Sequence, residues 1–308
     1  MEESKEIYPF WHNVAAGGVA GAGSRLATAP LDLVRIRWQL EKTVTYPRPS
    51  LWSSLKTIAE NEGGVIALFR GSVAATYLWV GYTMVQFSVY GQIKFLFQNY
   101  NDLQRFNPTF VAFSSGGIAG LVATLVSYPF DICRTVFAAR GMAQQPLQKQ
   151  ANRAFAPPKS LYDFAESLYR KRGIKAFYAG SGPASVQIIP YMGINFAIYD
   201  HLTQGDKRIA QSGFAGSISG AVSKIIVYPL DTIKKRLQAQ AVFGSSGDRY
   251  DGMIDCYRKM LRTEGFSSFY RGLFPSVAKT AIATSLTFSL YRGTKNILED
   301  MHNQNFKK

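Results

Sequence analysis

Charge disappears from long stretches of this chain. Residues 72–93 contain no Asp, Glu, Lys or Arg, and neither do residues 106–130 or 176–199. Each run exceeds the roughly 20 residues that an α-helix needs to cross about 30 Å of hydrocarbon. Three further runs carry one charge each: 11–31 with Arg25, 209–230 with Lys224, and 273–291 with Lys279. Helices of soluble proteins show a polar face, and these runs do not. The pattern therefore predicts an all-α membrane protein with six transmembrane helices. Between the spans, "SLWSSLKTIAENEG", "SLYDFAESLYRKRG" and "DGMIDCYRKMLRTEG" have apolar residues at helical spacing. They read as three short helices at the membrane surface.

The six spans fall into three pairs because the sequence repeats. Pro30, Pro129 and Pro229 lie 99 and 100 residues apart, opening "PLDLVRIRWQ", "PFDICRTVFA" and "PLDTIKKRLQ". Gly17 and Gly21, Gly116 and Gly120, and Gly216 and Gly220 precede those prolines by 13 and 9 residues, and "FRG", "YAG" and "YRG" close each block. A fixed period of this kind defines the architecture. The chain reads as repeats 1–105, 106–205 and 206–308 of one transmembrane body. The small residues of each first helix, at Gly-xxx-Gly spacing, allow close helix approach.

Net charge is +15, which implies an anionic partner or membrane surface. The cations sit in loops flanking apolar spans, so nucleic acid is not expected as a partner. Cys133 and Cys256 are too few for a disulfide framework or zinc site, and there are three histidines. With no nucleophile–base–acid set, metal cluster or phosphate-binding glycine loop, neither an enzyme nor a cofactor is expected. The amino-terminal "MEESKEIYPFWHN" resembles neither a secretory signal nor an Arg-rich transit peptide. The long loops 41–71, 139–179 and 239–271 hold 4, 8 and 5 Lys/Arg, against two in each of 94–108 and 200–208. The positive-inside tendency places the long loops on the inner side and both termini opposite.

Pro-x-Asp-x-x-Lys/Arg, repeated three times and followed by an acid-Gly and then an aromatic-basic-Gly element, resembles the signature of the mitochondrial carrier family over the whole chain. The resemblance implies a three-fold pseudosymmetric barrel of six helices with three matrix helices. It also implies alternating access through one central site, and residence as a monomer in the inner mitochondrial membrane with both termini in the intermembrane space. Proline kinks would bring the charges together as a matrix gate, with Asp32 paired to Arg134, Asp131 to Lys234 and Asp231 to Arg35. Gln39 and Gln238 match the family's bracing glutamines. Ala138 holds the third such place, and Val136 replaces the second basic residue of repeat 2. At the other end the family's cytoplasmic gate corresponds to Tyr90-Gly91 with Lys94, Tyr199-Asp200 with Thr203, and Tyr291-Arg292 with Lys295. Only Lys94 with Asp200 makes a complete pair, so this gate is expected to be weak. Repeat 2 also has Arg172-Gly173 and Ala179 where an acid and a base are usual. Repeat 1 is one residue long at "EGGVIALFRG" unless Gly63 stands in for the acid. Cardiolipin is implied at helix starts near Gly71, Gly180 and Gly272.

Arg25, Lys224 and Lys279 are the charges inside the spans, and all are basic. Intramembrane charge usually faces a water-filled path. Arg25 and Lys224 share one depth, five residues before their prolines, where repeat 2 has Thr124. They point to a polyanionic, phosphorylated solute. The family's contact positions fall at Leu78, Thr83, Gln86 and Phe87, at Gln187 and Ile188, and at Lys279, with Trp79, Tyr82, Tyr191 and Phe196 nearby. "VSKIIVYPLDTIKKRLQ", "VSYPFDICRTVFAARG" and "YTMVQFSVY" resemble the subgroup that carries thiamine pyrophosphate. Under that resemblance the three cations hold the pyrophosphate, Gln86 and Gln187 contact the pyrimidine, and aromatics face the thiazolium. A nucleotide or coenzyme A carrier needs the same cations. A degenerate carrier acting as a membrane adaptor would be expected to have lost its gate charges.

Overall fold

The computed structural model describes residues 10–41, 49–99, 108–140, 160–203, 214–243 and 250–305. Among these, every regular element is helical. Repeat 1 contributes α1 (Phe10–Leu40), α2 (Leu51–Asn61) and α3 (Ser72–Asn99). Repeat 2 contributes α4 (Pro108–Ala139), α5 (Leu161–Arg172), α6 (Ser181–Val186) and α7 (Ile188–Thr203). Repeat 3 contributes α8 (Phe214–Phe243), α9 (Met253–Glu264) and α10 (Leu273–Asn305). The expected repeat boundaries near 105 and 205 lie outside the described residues.

Five of the long helices run unbroken for 28 to 33 residues, more than a bilayer core requires. The sixth span is interrupted. Its first turns end at Val186, Gln187 donates its N–H to Pro183, and a new helix starts at Ile188 with Pro190 in its first turn. A proline lacks the N–H that would continue the earlier helix. Among the described residues, two stretches are apolar enough to identify as spans by hydropathy alone, 65–97 and 113–139, with mean hydropathy 1.3 and 1.4. The remaining helices are diluted by Ser, Thr, Gly and the internal cations.

The helices close a ring. α4 packs along α3, α8 along α7, and α1 along α10, so each repeat's first helix leans on the second helix of its neighbour. The first helices α1, α4 and α8 also touch one another. Burial concentrates in their C-terminal halves, below Pro30, Pro129 and Pro229. There each packs on its own surface helix: Leu33, Val34 and Ile36 with Ile58; Ile132 and Val136 with Phe164 and Leu168; Ile233 with Cys256 and Met260. Two of the surface helices begin where a side chain caps them. Ser50 and Ser160 accept hydrogen bonds from the N–H of Ser53 and Asp163, which satisfies amides left free in a first turn.

After each surface helix the chain makes a 3₁₀ turn and then a glycine, Gly71, Gly180 or Gly272, with φ of +85°, +79° and +84°. These three glycines set the contact between repeats. A Cβ on Gly272 would come within 2.8 Å of the Arg35 carbonyl, on Gly180 within 2.9 Å of the Lys234 carbonyl, and on Gly71 within 3.0 Å of the Arg134 carbonyl. Gly272→Ala therefore combines a left-handed backbone with a clash against main chain, and is expected to destabilise the protein by about 1–3 kcal/mol. Gly293→Ala in α10, where a Cβ meets nothing within 4 Å, is the control. Thermal unfolding in detergent should separate the two, and equal midpoints would refute the contact.

Candidate functional site

The C-terminal halves of α1, α4 and α8 bring three buried aspartates into one layer, each against a base from the next repeat. Asp231 meets Arg35 at 2.6 Å, Asp131 meets Lys234 at 2.7 Å, and Asp32 is ion-paired with Arg134. These are the partners that the family resemblance implied for each acid. Two aromatic rings floor the layer: the Arg35 guanidinium lies 5.8 Å from the Tyr228 ring and the Lys234 ammonium 5.3 Å from the Tyr128 ring. Such contacts favour a cation held out of water.

Each acid has a second cation, which the sequence reading did not anticipate. Lys279 from α10 donates to Asp32 at 2.8 Å, Lys224 of α8 is ion-paired with Asp231, and Lys235 of α8 donates to Asp131 at 2.8 Å. Lys224 and Lys279 were expected to form a substrate cluster with Arg25; the structure instead engages both with the aspartates. The signal was present: Lys224 precedes Asp231 by seven residues, two helical turns, which puts both on one face. Arg25 precedes Asp32 by the same interval and lines one recess with Asp32, Arg134 and Lys279. Its guanidinium stacks 4.4 Å from the Trp79 ring. Seven cations thus gather about three carboxylates, leaving a large positive surplus where an anion can be received.

The braces differ. Gln238 donates to Asp131 at 2.9 Å and accepts from Thr135 and Lys235 at 2.7 and 3.0 Å. The side-chain amide of Gln39, fully buried, makes no corresponding bond to Asp231 among the described residues. Ala138 offers none.

Below this layer lie two charged staples. In repeat 1, Arg37 forks onto Glu62 at 2.5 and 2.8 Å, and Arg70 pairs with the same carboxylate. Both arginines also donate to carbonyls at the end of α4, those of Ala138 and Arg140. In repeat 3, Arg236 and Arg271 share Glu264 and donate to the carbonyls of Gln39 and Glu41 at the end of α1. A helix terminus leaves carbonyls without partners, and guanidinium groups suit them. Glu62 is therefore the acid of repeat 1, and Gly63 does not stand in for it. The extra residue is absorbed by Gly63 and Gly64, at φ +104° and +78°. In repeat 2 the same three places are Val136, Arg172 and Ala179. Val136 packs with Phe164 and Leu168 instead, and exposed Arg172 alone reaches the Ala241 carbonyl at 2.8 Å. Burial raises the pKa of Tyr250 above the ordinary phenol value, so it stays a hydroxyl facing Arg236.

The other expected contacts occupy α3 and the break in the fourth span. Leu78, Tyr82 and Gln86 follow one another at intervals of four on α3, half-buried, with Thr83 beside them and Phe87 exposed. The Thr83 hydroxyl is bonded within its own helix. Gln187 sits at the break with its side-chain carbonyl buried and unpartnered, and Ile188 opens α7. Tyr90, Lys94, Asp200, Tyr199 and Tyr291 lie toward the far ends of α3, α7 and α10. Lys94 and Asp200 are both exposed.

Three repeats of two spans and a surface helix, closed by acid–base pairs in the first helices, define a solute carrier of the mitochondrial type. The family model for mitochondrial carrier protein matches residues 7–101, 106–205 and 205–302, and the chain belongs to that family. Its six long spans are the family's transmembrane helices. Among its relatives, mitochondrial thiamine diphosphate carrier 1 of Arabidopsis thaliana is 33% identical, covering 91% of each chain. The mitochondrial thiamine pyrophosphate carrier of Homo sapiens is 33% identical, covering 93% of this chain and 92% of the relative. Mitochondrial thiamine pyrophosphate carrier 1 of Aspergillus niger is also 33% identical, over 94% and 92%.

Proposed function

We propose that this chain carries thiamine pyrophosphate across the inner mitochondrial membrane into the matrix by alternating access, in exchange for another phosphorylated anion. The observation that carries the reading is the surplus of cations about Asp32, Asp131 and Asp231. Charge-assisted contacts to phosphate oxygens are the strong class of hydrogen bond, and Lys224, Lys279 and Arg25 supply them beside the aspartates. The relatives named for thiamine pyrophosphate and diphosphate support that solute. Gln86 and the unpartnered Gln187 carbonyl suit an aminopyrimidine, and Tyr82, with Leu78, Thr83, Phe87 and Ile188, completes the wall.

In this reading Asp32–Arg134, Asp131–Lys234 and Asp231–Arg35 form the matrix gate, braced by Gln238, with Gln39 held in reserve for another state. The basic long loops support a matrix-facing gate and termini in the intermembrane space. A recess at the junction of repeats 2 and 3, lined by Arg172, Lys175, Gly180 and Gly252, suits an anionic headgroup such as that of cardiolipin. The repeats divide near 105 and 205, and the carrier acts as a monomer.

Proteoliposomes preloaded with thiamine phosphates or nucleotides test the solute. Saturable thiamine pyrophosphate uptake is expected. Uptake of nucleotides in its place would overturn the assignment. The weak far gate gives a second expectation: acids restored by Gly91→Asp and Arg292→Glu should raise the matrix-open population. Cysteine accessibility from each face measures it, and an unchanged labelling ratio would refute a gate there.

A further inference from the structure

The second cations on the three gate acids are not equivalent. An ammonium has three hydrogens to donate. Lys235 uses all three, on Asp131, Thr135 and Gln238 at 2.8, 2.8 and 3.0 Å, and its side chain is 9% exposed. Among the described residues Lys224 and Lys279 each have one acceptor, Asp231 and Asp32, and their side chains are 30% and 22% exposed. Both therefore keep unfilled donors open to an arriving anion. The cross-repeat arginines on the same two acids are also under-used: Nε of Arg35 and Nε of Arg134 are buried without a partner.

The connectivity gives this difference a direction. Asp32–Arg134 joins repeat 1 to repeat 2, and Asp231–Arg35 joins repeat 3 to repeat 1. Asp131, with Lys234, Lys235 and Gln238, joins repeat 2 to repeat 3. The two ties of repeat 1 thus carry the exchangeable lysines and have no glutamine bonded to their acids among the described residues. The tie between repeats 2 and 3 has a saturated lysine and a working brace.

We propose that the matrix gate opens unequally, with Lys235 as the positioning residue that makes it so. The inference rests on an anion being bound at this layer, as in the function proposed above. A polyanion seated on Lys224 and Lys279 brings negative charge against Asp231 and Asp32 and competes for Arg35 and Arg134. Both carboxylates lose partners in a buried setting, where an unpaired charge is costly, and repeat 1 separates from both neighbours. Asp131 keeps the saturated Lys235 and the buried Gln238 amide even where the anion draws on Lys234, so repeats 2 and 3 move as one body.

Spin labels at exposed Trp52, Tyr162 and Ile254, one on each surface helix, report the three separations by pulsed electron resonance of the full chain in liposomes, with inorganic pyrophosphate as the probe. The 52–162 and 52–254 distances are expected to shift while 162–254 stays fixed. In Lys235→Met all three should shift. Three equal shifts in the wild-type chain, a shift confined to 162–254, or no shift at all would overturn the inference. Absent thiamine pyrophosphate uptake alongside an unequal pyrophosphate response would instead remove the proposed solute and leave the unequal gate standing.

Discussion

Lys279→Ala and Lys224→Ala are each expected to abolish stabilisation by thiamine pyrophosphate and to cut its uptake at least tenfold. A hydrogen bond to a charged group is worth about 1.5–3 kcal/mol, and every 1.4 kcal/mol is about a factor of ten in affinity. Each lysine also has a partner in the empty protein, at Asp32 or Asp231. That complication can be separated. Both aspartates retain an arginine, Arg134 or Arg35, so the substrate-free melting point should change far less than the substrate-induced shift. Retention of the full shift in both variants would show that neither lysine touches the solute.

Glu264→Gln is expected to produce the largest loss of stability, about 3–5 kcal/mol, the usual cost of leaving a buried charge without its partner. Arg236 and Arg271 are 3% and 5% exposed and share this one carboxylate. Both also hold carbonyls at the end of α1, so the loss should spread to the junction of repeats 3 and 1. Glu62→Gln should act in the same direction but cost less at the junction of repeats 1 and 2, since Arg37 is 8% exposed and Arg70 is more open still. Arg172→Ala, on an exposed side chain, should cost less than about 1 kcal/mol. Thermal unfolding in detergent ranks the three, and equal losses would refute the asymmetry.

The six spans and the three surface helices were legible because charge is absent from the first and periodic in the second. That Asp32, Asp131 and Asp231 share one layer was legible because three-fold repetition fixes register; which base meets each acid came from the resemblance to the carrier family. The break at Gln187 was not, since residues 176–199 read as one apolar run and Pro190 was given no weight. Lys235 was passed over because it falls between two signature positions. What placed it on Asp131 is the rotation of α8 against α4, a property of packing that no single helix encodes. The engagement of Lys279 with Asp32 escaped for the same reason, since the depth of Lys279 was readable and its neighbour on α1 was not; that of Lys224 with Asp231 lies within α8, where the seven-residue interval already showed it.

The crowd of unbalanced ammonium and guanidinium groups bears on leakage. Reorienting with nothing bound means dragging that surplus through an occluded, poorly hydrated passage, and each net charge moved across a 100 mV potential is worth about 2.3 kcal/mol. A bound diphosphate cancels much of it. Under the function proposed above, the empty form would thereby be held back and the loaded form set free, so side chains that welcome the cargo would also oppose a return trip without one.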